Sequence, residues 1–305
     1  MLKSKFQEIQ VMNDTIIAGV DIGGSHITAA LVDLTSTKII HNTLIRTPID
    51  SQSNADDIIN SWTNVIQRSF EVAGIHPTKI GIAMPGPFDY VNGISYIRDQ
   101  NKYDSLYGLK IKDLLAQKLG IDVRDIRITN DAASFVQGEV FAGSGRSFNR
   151  VIGLTLGTGL GSARSYDGEA EDANLWCSRF LNGIAEDYLS ARWFISRYGE
   201  LNGAVVKNVK ELAELATASS DAQAIFNEFG GNLGHFLSLL VEEERPELIV
   251  LGGNISLAYP LFSTALESVL RNTSVPTEIR TGELGENAAL IGSVSSYYKS
   301  SVIVP

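Results

Sequence analysis

Residues 15–25 read TIIAGVDIGGS, and residues 151–162 read VIGLTLGTGLGS. Each stretch begins with β-branched and apolar residues that are typical of a buried strand, and each ends in closely spaced glycines that favour a tight turn. The chain then returns, through the apolar run Ile27 to Val32 in the first case and from Ala163 in the second. Two copies of this strand-turn-strand pattern predict an internally duplicated α/β fold.

Helical and extended patterns alternate along the rest of the chain. Apolar residues recur at helical spacing in residues 56–73, 109–119, 131–142, 184–198, 222–243, about 259–271 and 287–298, and short apolar runs predict strands at 79–83, 126–129 and 248–251. A chain of 305 residues exceeds one comfortable core. We therefore expect an N-terminal α/β domain from residues 1–131, completed by a C-terminal helix at 287–300, and a C-terminal α/β domain from residues 132–286.

The composition narrows the choice of partners. A formal net charge of -10 disfavours nucleic acid and anionic lipid, which bind basic surfaces. No stretch approaches the roughly 20 apolar residues of a membrane span, and the first residues lack the apolar core of a signal peptide. One cysteine, Cys177, excludes an internal disulfide and a cysteine-rich zinc site. These features predict a cytoplasmic protein that binds a small molecule.

Both glycine turns are candidate phosphate sites. In Asp21–Ser25, backbone N–H groups and a hydroxyl can approach a phosphate closely, and Asp21 can hold Mg²⁺ through water. A hairpin that needs glycines is the alternative. The second turn has three glycines in the five residues Gly157–Gly161, more than one hairpin needs. A dinucleotide site would require an acidic residue about 20 positions downstream at the end of a strand, and none is evident.

Two further strand ends carry candidate ligand groups. Asn130 and Asp131 join a strand to a helix, where the carboxylate can take a proton from an attacking hydroxyl that the amide orients. Alone, the pair is equally a good helix cap. Gly252, Gly253 and Asn254 can receive an adenine or ribose, or can form an ordinary turn.

The motifs run in the order phosphate loop, Pro-Gly loop at residues 84–87, Asn-Asp, second phosphate loop and strand-Gly-Gly. This order, from about Ile16 to Tyr298, resembles the ROK family of sugar kinases and repressors, within the actin and hexokinase-like superfamily. The resemblance implies two ribonuclease H-like (actin/hexokinase-like) domains with an interdomain cleft, with ATP between the domains and the sugar deep in the cleft. It also implies phosphorylation of a hexose or amino sugar hydroxyl, and a homodimer.

The resemblance assigns roles residue by residue. The first phosphate loop matches Asp21, Gly23, Gly24 and Ser25, the second matches Gly157, Thr158, Gly159 and Gly161, and Gly86 and Pro87 match the loop that borders the sugar. Asn130 matches a sugar-hydroxyl ligand and Asp131 the general base. Glu186 matches a residue that contacts the sugar near its anomeric end, although an acid at a helix start is also favoured for its own sake.

Two departures from the family pattern concern the sugar and the phosphate. Residues 167–183 read DGEAEDANLWCSRFLNG, with no histidine and only Cys177, so the family's zinc site is expected to be absent. Glu171, Asp172 and Asn174 are candidate replacements for the sugar contacts of that segment. Ser25-His26 stands where the family commonly has Thr-Lys, and we leave His26 out of the site because a lone histidine is more often structural.

Three other functions remain open at this level. A repressor of the same family would need a DNA-binding module before the first strand, and only about fifteen residues precede it. A degenerate sugar sensor would bind sugar without phosphorylating it, which the altered segment at 167–183 permits. A dinucleotide-dependent oxidoreductase would rest on the glycine turns alone.

Overall fold

A computed structural model of the chain describes residues 15–302, which form two compact units. The first unit contains the described residues up to Ala142 and those from Glu286 onward, and the second runs from Gly143 to Gly285. Each unit is built around its own twisted sheet with its own hydrophobic core.

The sheet of the first unit places parallel strands beside an antiparallel hairpin. Its strands are β1 (Ile16–Ile22), β2 (His26–Asp33), β3 (Lys38–Ile39), β4 (Ile45–Pro48), β5 (Ile80–Met84) and, after the separate small hairpin of β6 (Phe88–Asp89) and β7 (Ile94–Ser95), β8 (Ile126–Asn130). Their order is β3-β2-β1-β5-β8, with β4 paired to β2. Because β1, β5 and β8 are parallel, their carboxyl ends meet at one edge of the sheet.

Three helices belong to the first part of this unit: α1 (Ala55–Ala73), α2 (Ile111–Leu119) and α3 (Asp131–Ala142). The α1 helix begins where the Asn54 side chain accepts a hydrogen bond from the Asp57 N–H at 3.0 Å. It ends at Gly74, whose φ of 68° is readily adopted only by glycine. These two signals confirm the helix predicted at residues 56–73.

The second unit repeats the topology of the first. Its strands are β9 (Arg150–Leu156), β10 (Leu160–Tyr166), β11 (Glu169–Asp172), the small hairpin β12 (Arg179–Phe180) and β13 (Gly183–Ile184), β14 (Leu248–Gly252) and β15 (Glu278–Thr281). The order β11-β10-β9-β14-β15 has the same strand directions as β3-β2-β1-β5-β8. The predicted internal duplication is therefore confirmed.

The helices of the second unit are α4 (Ala185–Tyr188), α5 (Ala191–Asn202), α6 (Val209–Ala216), α7 (Ser220–Glu244) and α8 (Tyr259–Leu270). The single helix predicted over residues 184–198 is wrong, because the chain breaks at Leu189 and Ser190. The Ala191 N–H donates to the Gly157 carbonyl oxygen at 2.8 Å, so α5 starts anew against the second glycine turn. Short 3₁₀ helices occupy His41–Thr43, Asp104–Leu106, Val123–Asp125, Leu175–Cys177 and Asn254–Ala258.

The last helix, α9 (Asn287–Val302), returns the chain to the first unit and packs on α3. A Cβ on Gly138 would collide with the Ala288 carbonyl group, and a Cβ on Gly292 with that of Ser134. Only glycine allows the two backbones to come this close. This packing holds α3 in the first unit, so the two compact units divide after Ala142, and the expected domain boundary after Asp131 lies one helix earlier.

The same helix also covers the central strands of the first sheet. A Cβ on Gly19 in β1 would meet the Leu290 carbonyl group, and one on Gly81 in β5 would meet that of Ser293. The Tyr297 hydroxyl donates to the Asp125 carbonyl oxygen at 2.8 Å. Among residues 15–302, no helix combines the length and apolarity needed to cross a bilayer.

Candidate active site

The candidate site residues of the first unit lie where β1, β5 and β8 end. In register, Asp21 of β1 pairs with Ala83 of β5, and Met84 of β5 pairs with Asn130 of β8. Asp21, the loop after Met84 and the Asn130-Asp131 pair therefore lie at the same edge of the sheet. This is where α/β sheets commonly bind their ligands.

The carboxyl group of Asp21 stands in an unfavourable setting for a negative charge. Burial first, and then the negative charge of Asp131, raise the pKa of Asp21 to about 6. The Arg46 guanidinium acts in the opposite direction, but it also forms an ion pair with Glu286 at 2.7 Å. The two aspartates thus lie close enough to influence each other electrostatically.

Asn130 and Asp131 begin helix α3. The Asn130 side-chain oxygen accepts the Ala133 N–H at 3.0 Å, and Asp131 Oδ1 accepts the Ala132 N–H at 2.9 Å. Asn130 is therefore a helix cap, the alternative that the sequence left open. The N-terminal end of the helix also stabilises the ionised carboxylate of Asp131.

Tyr90 ties the Pro-Gly loop to Asn130. Its hydroxyl donates to the Met84 carbonyl oxygen at 3.0 Å and accepts from Asn130 Nδ2 at 3.3 Å. The Gly86-Pro87 peptide bond is cis, and a Cβ on Gly86 would stand 3.3 Å from the Tyr90 hydroxyl. The sequence did not single out Tyr90, because a tyrosine in a loop carries no signal of such a contact.

The first glycine turn is closed by its own backbone and by a distant tyrosine. The Gly23 N–H donates to the His26 carbonyl oxygen at 2.9 Å, and the Tyr103 hydroxyl donates to the Gly23 carbonyl oxygen. Burial raises the pKa of the Tyr103 phenol, so it stays a neutral donor. At the exposed end of the turn, the Ser25 hydroxyl oxygen lies 3.0 Å from His26 Nδ1. Tyr103 is a second residue that the sequence did not reveal.

The second glycine turn lies at the end of β9 and is braced by Glu186. The Glu186 carboxylate accepts the Leu160 N–H at 3.0 Å and pairs with Arg192 at 2.5 Å. A Cβ on Gly159 would collide with that carboxylate. The Gly157 N–H donates to the Gly159 carbonyl oxygen at 3.0 Å, which closes the turn. Glu186 therefore contacts the backbone of the predicted phosphate loop.

The turn after β14 lies beside this glycine turn. Gly252 pairs with Thr155 of β9, and Gly253 has a φ of 78° with its Cα directly against the Leu156 backbone. A side chain at Gly253 would be both strained and in collision. The two turns that the sequence predicts for phosphate and for adenine or ribose are thus neighbours at one edge of the second sheet, with Asn254 exposed.

Within the altered segment at 167–183, a local turn follows β11. The Asn174 N–H donates to Asp172 Oδ1 at 2.9 Å, and Asn174 itself has a φ of 50°. Glu171 lies in β11, opposite Arg164 of β10. Within the part of the chain that the structure describes, no cluster of three or more His, Cys, Asp or Glu side chains is arranged to hold a metal ion.

The predicted residues therefore form one group in each unit. The first unit carries Asp21, Gly23, Gly24, Ser25, Gly86, Pro87, Asn130 and Asp131, and the second carries Gly157, Thr158, Gly159, Gly161, Glu186, Gly252, Gly253 and Asn254.

Several curated relatives of this chain are sugar kinases. The glucokinase of Thermotoga maritima is 24% identical over 92% of this chain and 96% of its own length. An N-acetyl-D-glucosamine kinase of Pectobacterium carotovorum is 24% identical over 90% of this chain and 96% of its own. The crystal structure of a ROK family glucokinase from Streptomyces griseus in complex with glucose and AMPPNP matches with a TM-score of 0.73 at 21% identity, covering 91% of this chain and 97% of that one.

These relatives class the chain as a sugar kinase, a phosphotransferase with an alcohol group as acceptor. The fold is the two-domain actin/hexokinase-like α/β fold. A family model described as ROK family matches residues 17–173, more than half of the sequence, and the chain belongs to that family.

Proposed function

We propose that this chain transfers the terminal phosphoryl group of ATP to a hydroxyl group of a hexose or amino sugar. One observation carries the proposal: Asp21 and Asp131 stand together at the carboxyl edge of the first sheet, and the charge of one raises the pKa of the other. Paired carboxylates in different environments suit a site that needs one cation ligand and one base.

Asp131 is the general base of this proposal. As the acceptor oxygen attacks phosphorus, its proton passes to the Asp131 carboxylate, which lies at the first turn of α3. Asn130 orients the acceptor hydroxyl, and its own amide is held by Tyr90 and by the Ala133 N–H. Gly86 and Pro87 border the acceptor in a loop that Tyr90 also holds.

Asp21 fits the needs of a magnesium site. Its carboxyl group is largely removed from water and feels the negative charge of Asp131, and a nearby divalent cation would relieve both unfavourable effects. Magnesium keeps several waters and uses only one or two carboxylates with substrate phosphates, so no larger acidic cluster is required. When bound, the ion neutralises charge on the transferring phosphates.

The turns of the second unit suit the rest of the nucleotide. Gly157, Thr158, Gly159 and Gly161 present a backbone without bulky side chains to the β-phosphate region, and Gly252, Gly253 and Asn254 lie beside them for the adenosine. Glu186 contacts the same turn and is proposed to contact the sugar near its anomeric end. The proposal requires both groups of residues to act on one nucleotide, and closure of the enzyme to exclude water.

Replacement of Asp131 tests the mechanism. We expect Asp131→Asn to lower the rate of sugar phosphorylation by about 10²- to 10⁴-fold, because the base is lost while the helix start remains polar. ATP consumption would be measured with a panel of hexoses and amino sugars, beginning with glucose and N-acetylglucosamine. Asp113→Asn, on the exposed surface of α2, is the matched control and should retain full activity. Transfer at the wild-type rate in folded Asp131→Asn would refute the mechanism.

A catalytically degenerate sugar sensor is the second candidate. The altered segment at 167–183, where Asp172 and Asn174 form a local turn, favours it. A sensor would bind a sugar of the panel without consuming ATP, whereas the kinase consumes ATP with at least one of them.

The setting of the reaction is also a proposal. The net charge of -10 supports a small-molecule sugar as partner rather than nucleic acid or a membrane. We propose a homodimer that acts in the cytoplasm. Sedimentation of the purified protein gives its mass in solution, and a monomer at micromolar concentration would contradict the dimer.

A further inference from the structure

Lys102, in the loop that precedes α2, lies against the first glycine turn. The position of a Cβ on Gly24 is 3.6 Å from Lys102 Cδ, an ordinary van der Waals separation. Lys102 is half-buried, and among the residues that the structure describes its ammonium group makes no hydrogen bond or ion pair. The aliphatic part of the side chain therefore lies against the turn, and residues 15–302 offer the charge no partner.

The position of Lys102 is held by its neighbour Tyr103. The Tyr103 N–H donates to the Ser51 carbonyl oxygen at 2.7 Å, and its hydroxyl donates to the Gly23 carbonyl oxygen. Its ring packs in a T-shaped arrangement against the Trp62 ring, with the ring centroids 5.3 Å apart. Tyr103 has a φ of 58°, a left-handed conformation that non-glycine residues keep only when their surroundings impose it. Lys102 is thus attached to the glycine turn through a fixed, buried residue.

The charges around Lys102 favour a role in binding a negatively charged ligand. Asp21 and Asp131 make this edge of the sheet negative, and a phosphoryl group that arrives there brings further negative charge. The turn itself, residues 21–25, contains no lysine or arginine, and Arg46 is already paired with Glu286. A lysine ammonium is a compact, mobile charge suited to contact phosphate oxygens.

We propose that the Lys102 ammonium binds the terminal phosphoryl group of the nucleotide above the first glycine turn. The inference rests on the proposed kinase function and adds a phosphate-contacting residue to it. Because the contact involves the group that is transferred, it exists with a nucleoside triphosphate and disappears with the diphosphate. Lys102 therefore distinguishes ATP from ADP.

Calorimetric titration tests this distinction. Wild type, Lys102→Gln, Lys102→Arg and the exposed control Lys118→Gln would each be titrated with magnesium AMPPNP and with magnesium ADP. For Lys102→Gln we expect the affinity for AMPPNP to fall about tenfold or more, as for loss of a charged hydrogen bond, and the affinity for ADP to change less than about twofold. Lys102→Arg should recover part of the loss, and Lys118→Gln should match wild type.

Several outcomes would overturn the inference. Unchanged AMPPNP affinity in Lys102→Gln, or an equal loss for both nucleotides, would show that Lys102 does not contact the terminal phosphoryl group. A raised KM for the sugar with unchanged nucleotide affinity would place the ammonium on the acceptor instead. If wild type phosphorylates a sugar, these results leave the kinase proposal intact. A wild-type protein that binds neither nucleotide would refute both proposals, and equal thermal unfolding of the variants shows that the fold is not the cause.

Discussion

The carboxyl group of Asp21 stabilises the folded chain most when it is protonated. Its pKa rises from an ordinary 3.8 to about 6, so the folded protein holds this proton more tightly than the unfolded chain does. The resulting stabilisation is fully present below pH 4 and is lost as the pH rises through 6. At neutral pH the ionised side chain weakens the fold at the position where the proposed reaction needs it.

Asp21→Asn should therefore be more stable than wild type at pH 7.5, by on the order of 1–3 kcal/mol, because the amide cannot ionise. The difference should shrink as the pH falls towards 4. Urea unfolding at several pH values measures it, with Asp113→Asn as the control that should show no such trend. A stability difference that is independent of pH would contradict this account. The same variant should lose magnesium-dependent transfer, since Asp21 is the proposed metal ligand.

The sequence predicts site residues only where a local pattern surrounds them. Asn130 and Asp131 stand between an apolar run and a helical repeat, and in the structure β8 ends at Asn130 and α3 begins at Asp131. Tyr103 contacts Gly23 across 80 residues of sequence, and no local pattern predicts such a pairing. The position of Lys102 follows from that of Tyr103, so no local pattern predicts it either.

At the scale of elements, glycines set how closely helices approach. Gly138 in α3 lies directly against the Ala288 backbone of α9, whereas Gly231 in α7 has no atom within 4 Å of the place where a Cβ would stand. Both lie within helices, so an alanine has the same effect on helix propensity at each. The two sites differ only in the space around them.

We expect Gly138→Ala to destabilise the protein by about 1–3 kcal/mol or more, because α9 must move away from α3. Gly231→Ala should instead leave stability unchanged or raise it by up to about 1 kcal/mol. Chemical unfolding of both variants gives the comparison. If Gly138→Ala proved as stable as Gly231→Ala, the close packing of α3 on α9 would be wrong.

Helix ends were predictable where the chain marks them and not where a tertiary contact creates them. The α1 helix lies between Asn54 and Gly74. It starts one residue before its predicted start and ends at its predicted end. Residues 184–198 keep helical spacing throughout, and the break at Leu189 and Ser190 coincides with a tertiary hydrogen bond from the Ala191 N–H to the Gly157 carbonyl oxygen. The short strands β11 to β13 are too brief to leave a periodic pattern.

At the scale of the whole molecule, the second unit is a continuous segment inserted into the first. The chain leaves the first unit after Ala142 and re-enters it at Glu286. The duplication was predictable, because each half opens with the same strand and glycine turn. The extent of the insertion was less so, since the attachment of α3 depends on backbone contacts with α9 that no residue pattern displays.

Each unit should therefore respond differently when it is isolated. We expect residues 143–285 alone to fold, since their core is built from their own residues. Residues 1–142 alone should not, because α9 covers β1, β5 and α3. Circular dichroism and limited proteolysis distinguish the two cases, and a peptide of residues 286–305 added in trans should restore structure to the N-terminal fragment. Cooperative unfolding of residues 1–142 without that peptide would contradict the expectation.

Because α9 belongs to the first unit, that unit is complete only after the whole second unit has been synthesised. A ribosome makes Asp21 and Asp131 early, yet the helix that packs on β1 and α3, where they lie, emerges only at the end of translation. The inserted unit can fold on the nascent chain before α9 is available to pack on the apolar faces of β1 and β5. A truncated product of interrupted translation would therefore carry both aspartates without the helix that completes their unit, and would present exposed apolar strands to chaperones and proteases.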